Sequence, residues 1–403
     1  MGLKEEVAAS LEAVRARTLG LLEPLSDDAL ARQHSPLMSP LVWDLAHVGN
    51  YEDQWLVREL GAAGVGPAYD DMYDAFRHPR AGRPSLPLLG PAAARAYIAE
   101  VRDRALEVLD RVRVAEHAFL YGMVVQHEHQ HDETMLATLQ LMGGYRPKPP
   151  DEWLEGPPGG RRAEALVPGG LSSMGTDADP WAYDNERPAF VADVPAFFID
   201  TAPVTNGQYA EFVAEGGYHR PEFWSEAGWK WRMEAGLERP GFWTAEGTRD
   251  RFGWVEPVPA DEPVQHVCWH EASAYASFVG KRLPTEEEWE KAAQGATRGD
   301  VGGAERFGPA PVGSFAGGAS VHGCVDMVGG VWEWTASSFE PYPGFRAYPY
   351  REYSEVFFGD EYKVLRGGSW ATDPAVARVT FRNWDYPIRR QIFAGFRCAR
   401  DAV

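Results

Sequence analysis

The residue types best suited to chemistry gather in one heptapeptide, His127-Glu128-His129-Gln130-His131-Asp132-Glu133. His127 and His131 are four apart, so on a helix they stand one turn above the other and can hold a single metal ion. His129 falls about 200° round the axis, at ~100° per residue, and cannot share their face. A third ligand must come from another element. His47, within WDLAHVGNYEDQW, is the candidate, because antiparallel neighbours in a bundle face one another. Three neutral imidazoles leave the charge of the ion uncompensated and one face of an octahedral ion open, as facial non-haem iron sites do. Zinc accepts three histidines and a water equally well, so ligand type leaves iron and zinc both open. A pair at this spacing can also be two surface or two core histidines. Its place on an apolar helical stripe favours the metal, whereas His78, His117, His129 and His322 carry no such signal.

The elements that must position these ligands are helical. Val7, Leu11, Val14 and Leu21/Leu22 share one face of a first helix. A second is predicted over 41–60, with Trp43, His47 and Trp55. A third follows Pro91, a residue suited to a first turn, and carries Tyr97, Val101, Ala105, Val108 and Val112. A fourth, over 115–142, sets Leu120, Val124, His127, His131 and Leu139 along one stripe and ends at Gly143-Gly144. With one long connection, 61–90, this reads as a four-helix bundle over 1–142. The Pro/Gly-rich stretch 143–165 reads as a linker. From 166 to 403 the character changes to short strand-like pieces (190–199, 363–366), many Gly and Trp, and few helices. Thr285 and Glu288 form a capping box for one of them. The fold class expected is α+β, in two domains.

At 403 residues the chain exceeds one ordinary core. Its formal net charge of −20, about −6 up to residue 150 and −14 beyond, excludes a nucleic-acid backbone as partner, since neither part supplies a basic stripe. An apolar share of 44 % excludes wholesale disorder. Cys268, Cys324 and Cys398 are odd in number and far apart, which argues against disulfides or a thiolate zinc site and for a reducing compartment. No apolar run is long enough for a membrane span, and the first residues lack the pattern of a signal peptide. A cytoplasmic protein with small-molecule partners is expected, with no protein partner evident.

Six motifs in the second part, LVPGGLSSMG (166–175), NERPAFVADVPAFFIDTAPVTNGQYAEFV (185–213), PVQHVCWHEASAYASFVGKRLPTEEEWEKAA (263–293), MVGGVWEWT (327–335), VLRGGSW (364–370) and GFRCAR (395–400), resemble the formylglycine-generating-enzyme/sulfatase-modifying-factor domain, a C-type-lectin-like fold. The helical part, with its HxxxHxE string, resembles a DinB-like four-helix bundle. That pairing, in that order, is similar to the ergothioneine-biosynthesis iron(II)-dependent sulfoxide synthases, and LMSPLVWDLAHVGN, HEHQHDETML and FRNWDYPIRRQIF resemble the actinobacterial branch. The resemblance implies a non-haem Fe(II) enzyme that uses O2 to join the thiol of γ-glutamylcysteine to C2 of hercynine (N-alpha-trimethylhistidine), leaving the sulfur as a sulfoxide.

It further implies that His47, His127 and His131 are the iron ligands and that Gln130 contacts hercynine. Tyr350 is implied as donor of a proton or hydrogen atom, and Asn383, Trp384 and Asp385 as pocket residues. Arg80, Arg83 and Arg389 are implied as holders of the γ-glutamylcysteine carboxylates. The chemistry is consistent with these roles. Arginine forks suit two carboxylates on an acidic protein. A trimethylammonium group makes no hydrogen bonds and is met by aromatic faces and carboxylates, here Trp384 and Asp385. A phenol can supply a proton while neutral at rest. By residue type alone these arginines would be read as solvated and the tyrosine and tryptophan as packing. The sequence departs from formylglycine-generating enzymes in lacking a cysteine pair around 375–390, which excludes their cysteine chemistry. Residues 294–310 also lack the family's Pro-Trp-Gly stretch, which puts a structural calcium site in doubt.

Other readings keep part of this. Free cysteine as donor, or histidine as acceptor in an ovothiol-type reaction, preserves the chemistry, although Arg80 and Arg83 favour the dipeptide with its two carboxylates. A zinc-dependent DinB-type thiol transferase would consume no O2. A lectin-like binding module with the bundle as spacer leaves the histidines unexplained.

Overall fold

The computed structural model describes residues 2–148, 154, 163–302 and 306–402. The chain divides into two compact units, Met1–Tyr145 and Arg146–Val403. Most of the Pro/Gly-rich stretch lies outside the described residues.

The first unit holds helices α1 (Leu3–Leu22), α2 (Asp27–Ala31), α3 (Leu41–Glu52), α4 (Pro91–Arg111) and α5 (Ala118–Met142). Pro91 opens α4 and α5 closes on Gly143 at φ 62°, where a residue without Cβ enters the left-handed region freely. The predicted helix over 41–60 is not uniform. Beyond Glu52 it widens into a π-helical segment, Asp53–Arg58, where buried Asp53 accepts from Val65 N (2.9 Å) and Gly66 N (3.3 Å). The helix predicted from 115 starts at Ala118, after a separate turn at Val114–Glu116.

Val7, Leu11 and Val14 of α1, Val101 and Ala105 of α4, and Leu136 and Leu139 of α5 are buried. Beside this apolar core lies a charged one. Glu128 of α5 accepts from Arg15 Nε at 2.6 Å and from Arg102 at 3.2 Å, and Glu52 of α3 accepts from Arg15 at 2.8 Å and Arg102 Nε at 2.6 Å. Two guanidiniums and two carboxylates thus neutralise one another where neither could be buried alone.

The connection 61–90 is tied down along its length. Asp70 accepts both terminal nitrogens of Arg58 (2.8 and 2.7 Å) and Nδ2 of Asn50 (2.9 Å), and Tyr73, 1 % exposed, accepts from Leu89 N through its hydroxyl.

The second unit runs β1 (Glu164–Val167), β2 (Gly170–Met174), β3 (Phe190–Val194), β4 (Phe197–Asp200), α6 (Asn206–Ala214), α7 (Glu226–Ala235), β5 (Thr248–Arg251), β6 (Trp254–Pro257), α8 (Trp269–Phe278), α9 (Glu286–Ala292), β7 (Trp332–Phe339), β8 (Gly359–Arg366), β9 (Asn383–Asp385), β10 (Ala394–Gly395) and β11 (Ala399–Asp401). One sheet has order β1-β4-β11 and another β10-β7-β8-β9, and β2-β3 and β5-β6 form two-stranded antiparallel sheets. β1 begins inside the stretch predicted as linker, Glu164 pairing with Asp200. The strand-like piece 190–199 is two strands in different sheets, because Pro195 cannot donate to a ladder and breaks the run.

Thr285 caps α9 as predicted, its hydroxyl accepting from Glu288 N while Glu288 accepts from Thr285 N at 2.8 Å. Buried ion pairs brace the unit: Arg366 and Arg382 share Glu286, and Arg397 forks onto Glu333 at 2.7 Å through Nε and Nη2. Cys268, Cys324 and Cys398 are buried thiols outside any disulfide, and burial raises the first two above their ordinary range.

Candidate active site

α3 and α5 pack together and bring His47, His127 and His131 into one cluster. One ligand nitrogen of each lies within 4.8 Å of the other two. Their ring centroids form a near-equilateral triangle of 5.1, 4.7 and 4.6 Å.

Two of the three rings have their proton positions set by what they touch. Nδ1 of His47 is 2.7 Å from the carbonyl oxygen of Tyr73, which can only accept, so Nδ1 carries the proton and Nε2 keeps its lone pair. Nδ1 of His131 is 3.2 Å from Oδ1 of Asp44, and the same logic leaves its Nε2 free to ligate. His127 is oriented by stacking on Tyr51 at 3.8 Å. Three imidazoles whose ligand nitrogens converge within 4.8 Å suit a divalent transition metal, and the donor set fits iron, zinc, copper or nickel. Asp44, 1 % exposed, and Tyr51 were not singled out from the sequence. Their signal was spacing, since Asp44 is three residues before His47 and Tyr51 four after it, both on the ligand face.

Asp44→Asn keeps the shape but removes the charge that orients His131. It is expected to weaken metal binding by ~10–100-fold, measured by competition against a chelator. Unchanged affinity would show that Asp44 has no part in holding the ring.

Burial, and then the neighbouring His131 imidazole, hold His47 and His127 well below the ordinary histidine range, and burial takes His266 down to about 3. All three are neutral in the fold, whereas in the unfolded chain they titrate near ~6.5. A depressed folded value means that their stabilisation is present above ~6.5 and is lost as pH falls, because the unfolded chain takes up protons first. The melting temperature of metal-free protein should therefore drop from pH 7 to 5, with about 1.4 kcal/mol per pH unit from each group. A flat profile would contradict this.

Arg83 is not the exposed loop cation that its sequence context suggests. It is 5 % exposed, donates to Ser39 Oγ (2.5 Å), His78 O (2.9 Å) and Ala75 O (3.3 Å), and lies 3.5 Å above the Trp43 ring. Trp43 in turn stacks on His47 at 4.6 Å. Burial pulls the guanidinium down to about 10, so it remains a cation at neutral pH. Arg80, partly exposed, donates to Leu37 O at 3.1 Å. Gln130 precedes His131 on α5 and is partly buried.

In the second unit Asn383, Trp384 and Asp385 are β9, the edge of its sheet, opposite Leu365, Val364 and Lys363 of β8. Strand alternation sends Trp384 to the face opposite Asn383 and Asp385. The Trp384 ring stacks on Phe339 at 4.1 Å and is flanked by Phe357 and Tyr353. The strand therefore does not set Trp384 beside Asp385 as a joint cage for an ammonium group. Asp385 has Arg389 Nε at 3.4 Å instead. Tyr350 precedes a short turn, Arg351–Tyr353, and its ring meets that of Tyr353 edge-on at 6.2 Å. Tyr353 thus links Tyr350 to Trp384.

Among the described residues, no helix is long and apolar enough to cross a membrane. Residues 10–135 match the DinB superfamily and residues 157–402 the sulfatase-modifying factor enzyme 1-like domain. The class is therefore an α+β protein with an N-terminal DinB-like helical domain followed by a formylglycine-generating-enzyme-like domain. A formylglycine-generating enzyme of Thermomonospora curvata is 29 % identical over 59 % of this chain and 93 % of its own length. Proteins named hercynine oxygenase reach much further. That of Mycolicibacterium smegmatis is 49 % identical over 99 % of both chains, and that of Mycobacterium tuberculosis 50 % identical over 98 % of this chain and 99 % of its own. The chain belongs to the hercynine oxygenase family of oxygen-dependent oxidoreductases.

Proposed function

We propose that the chain is a non-haem Fe(II)-dependent sulfoxide synthase that joins the thiol of γ-glutamylcysteine to C2 of hercynine, a step of ergothioneine biosynthesis. The observation that carries this reading is the three-imidazole cluster, two of whose rings keep Nε2 free of the contacts made by Nδ1, in a chain whose full-length relatives are named hercynine oxygenases. The reaction balances as RSH + C2–H + O2 → C2–S(=O)–R + H2O. O2 takes up four electrons, a C–S and an S=O bond form, and the S–H and C2–H hydrogens leave in water.

Iron(II), when bound, would relay the four electrons from the thiol and the C2–H to O2 and would offer open positions for O2 and thiolate. The residues of the chain do the rest. His47, His127 and His131 hold the metal, and Tyr350 holds and delivers a proton from its phenol oxygen. Gln130, Asn383 and Asp385 bind hercynine by polar contact, with the aromatic packing of Trp384 supporting β9. Arg80 and Arg389 bind substrate carboxylates. Substrate-free protein would keep Asp385 and Arg389 paired, and each would exchange that partner for a ligand group.

A second reading keeps the chemistry and takes free cysteine as donor. The engagement of Arg83 inside its own unit favours it, because one of the cations meant for a second carboxylate is already committed. Oxygen uptake by anaerobically Fe(II)-loaded protein, with hercynine and either thiol, separates the two when product masses are read. A γ-glutamyl hercynylcysteine sulfoxide supports the first reading, product from cysteine alone supports the second, and no uptake with either refutes both.

A further inference from the structure

We propose that Asp184 is a positioning residue for Tyr350, its carboxylate clamping both ends of the segment that carries the phenol. This rests on the reading of Tyr350 as proton donor. The clamp itself lies wholly within the second unit.

Asp184, Asn185 and Glu186 form a single buried turn, all three at most 3 % exposed. Oδ1 of Asp184 accepts from the hydroxyl of Ser354 at 2.5 Å, and Oδ2 accepts from Tyr348 N at 3.2 Å. Tyr348 and Ser354 bracket Tyr350. The Ser354 hydroxyl, fully buried, also accepts from Asn185 Nδ2 at 3.0 Å, so its donor is committed to Asp184. Next in sequence, Tyr183 stacks on Tyr353 at 4.2 Å, and Tyr353 is the ring against which Tyr350 rests. Backbone and ring of the Tyr350 segment are thereby held from one turn.

The far side of the turn grips the segment that leads into β9. Glu186 accepts from Arg378 Nε at 2.9 Å and Thr380 Oγ1 at 2.7 Å, and the carbonyl of Asn185 accepts from Arg382 at 2.9 Å. Three consecutive residues therefore set the spacing between Tyr350 and Asn383–Asp385. Glu186 has a cation to offset its burial, whereas Asp184 has hydroxyl and amide donors. Burial, with Glu186 nearby, pushes its carboxyl up to about 6. A carboxylate kept at that cost, and used to hold a loop rather than to pair a charge, is what placing a reactive side chain calls for. A misplacement near 1 Å can cost ~10²-fold in rate.

The test is a cycle of Asp184→Asn and Tyr350→Phe on the Fe(II)-loaded full chain. The new amide has one acceptor end in place of two and must turn its donor toward either Tyr348 N or the Ser354 hydroxyl, so one arm of the clamp is lost and Asp184→Asn is expected to lower kcat by about tenfold to a hundredfold. KM for both substrates, iron stoichiometry and melting temperature should stay near wild type. In the Tyr350→Phe background the same change should add less than about twofold, because the group it positions is gone. An equal loss in both backgrounds, or unchanged kcat, would overturn the proposal. Should Asp184→Asn fold poorly, Ser354→Ala removes one arm and must show the same non-additivity. Tyr350→Phe at the wild-type rate would instead refute the proton-donor reading itself.

Discussion

Protein carrying His127→Ala, loaded anaerobically with Fe(II) and desalted, should retain almost no iron and consume no O2 above background. Loss of an outer hydrogen-bond partner alone weakens metal sites by ~10–100-fold, so loss of a ligand should exceed the upper end of that range. His127 is the most informative of the three positions. Its ring stacks on Tyr51 and touches the other imidazoles. His47→Ala would also release the Tyr73 carbonyl and the Trp43 stack, and His131→Ala would leave Asp44 buried without its partner. Those two should therefore lose stability as well as metal, while the His127 variant should melt within a few degrees of metal-free wild type. Stoichiometric iron in all three variants, read by metal analysis, would overturn the assignment of the cluster.

Glu128→Gln should be the most damaging change away from the metal. Burial raises the Glu128 carboxyl, yet Arg15 and then Arg102 outweigh it and hold the group ionised, with Thr18 Oγ1 adding a hydrogen bond at 3.0 Å. The amide would leave two buried guanidiniums sharing Glu52 alone. Removing one partner from such a buried set costs about 3–5 kcal/mol, a large part of the ~5–15 kcal/mol that holds a domain together. Calorimetry should show the transition of the first unit lowered by roughly 10–20 °C, and a loss below ~1 kcal/mol would mean that Glu52 compensates fully. Glu128 follows His127 directly, so iron affinity should weaken in the same variant.

What could be read from the sequence depended on whether one periodicity settled the matter. The pair His127/His131 and the helices carrying Val7–Val14 and Tyr97–Val108 follow from a single repeat, and the structure keeps them. Apart from His47, placed with the pair because neighbouring bundle helices face one another, features needing two distant segments were not legible. The carbonyl of Tyr73 under His47 comes from the long connection, and nothing in RHPRAGRPSLP announces that Arg83 turns inward onto Trp43. The resemblance implies Asn383, Trp384 and Asp385 as pocket residues together, whereas an extended strand sends consecutive side chains to opposite faces. Pro195 divides 190–199 between two sheets, which the strand-like composition of the run does not show. The Asp184 turn was invisible, since its partners lie about 170 residues away.

The heptapeptide on α5 carries two ladders of spacing four, His127/His131 toward the metal and Glu128/Asp132 toward Arg15 and Thr18. They lie one residue, ~100° of helix, apart. A single-residue deletion upstream would swing the carboxylates round to the metal positions and present His129 and Glu133 to Arg15 and Thr18. Reading frame along the helix is thus tied at once to which ion the protein accepts and to whether its first unit folds. Insertions and deletions should be purged from this helix.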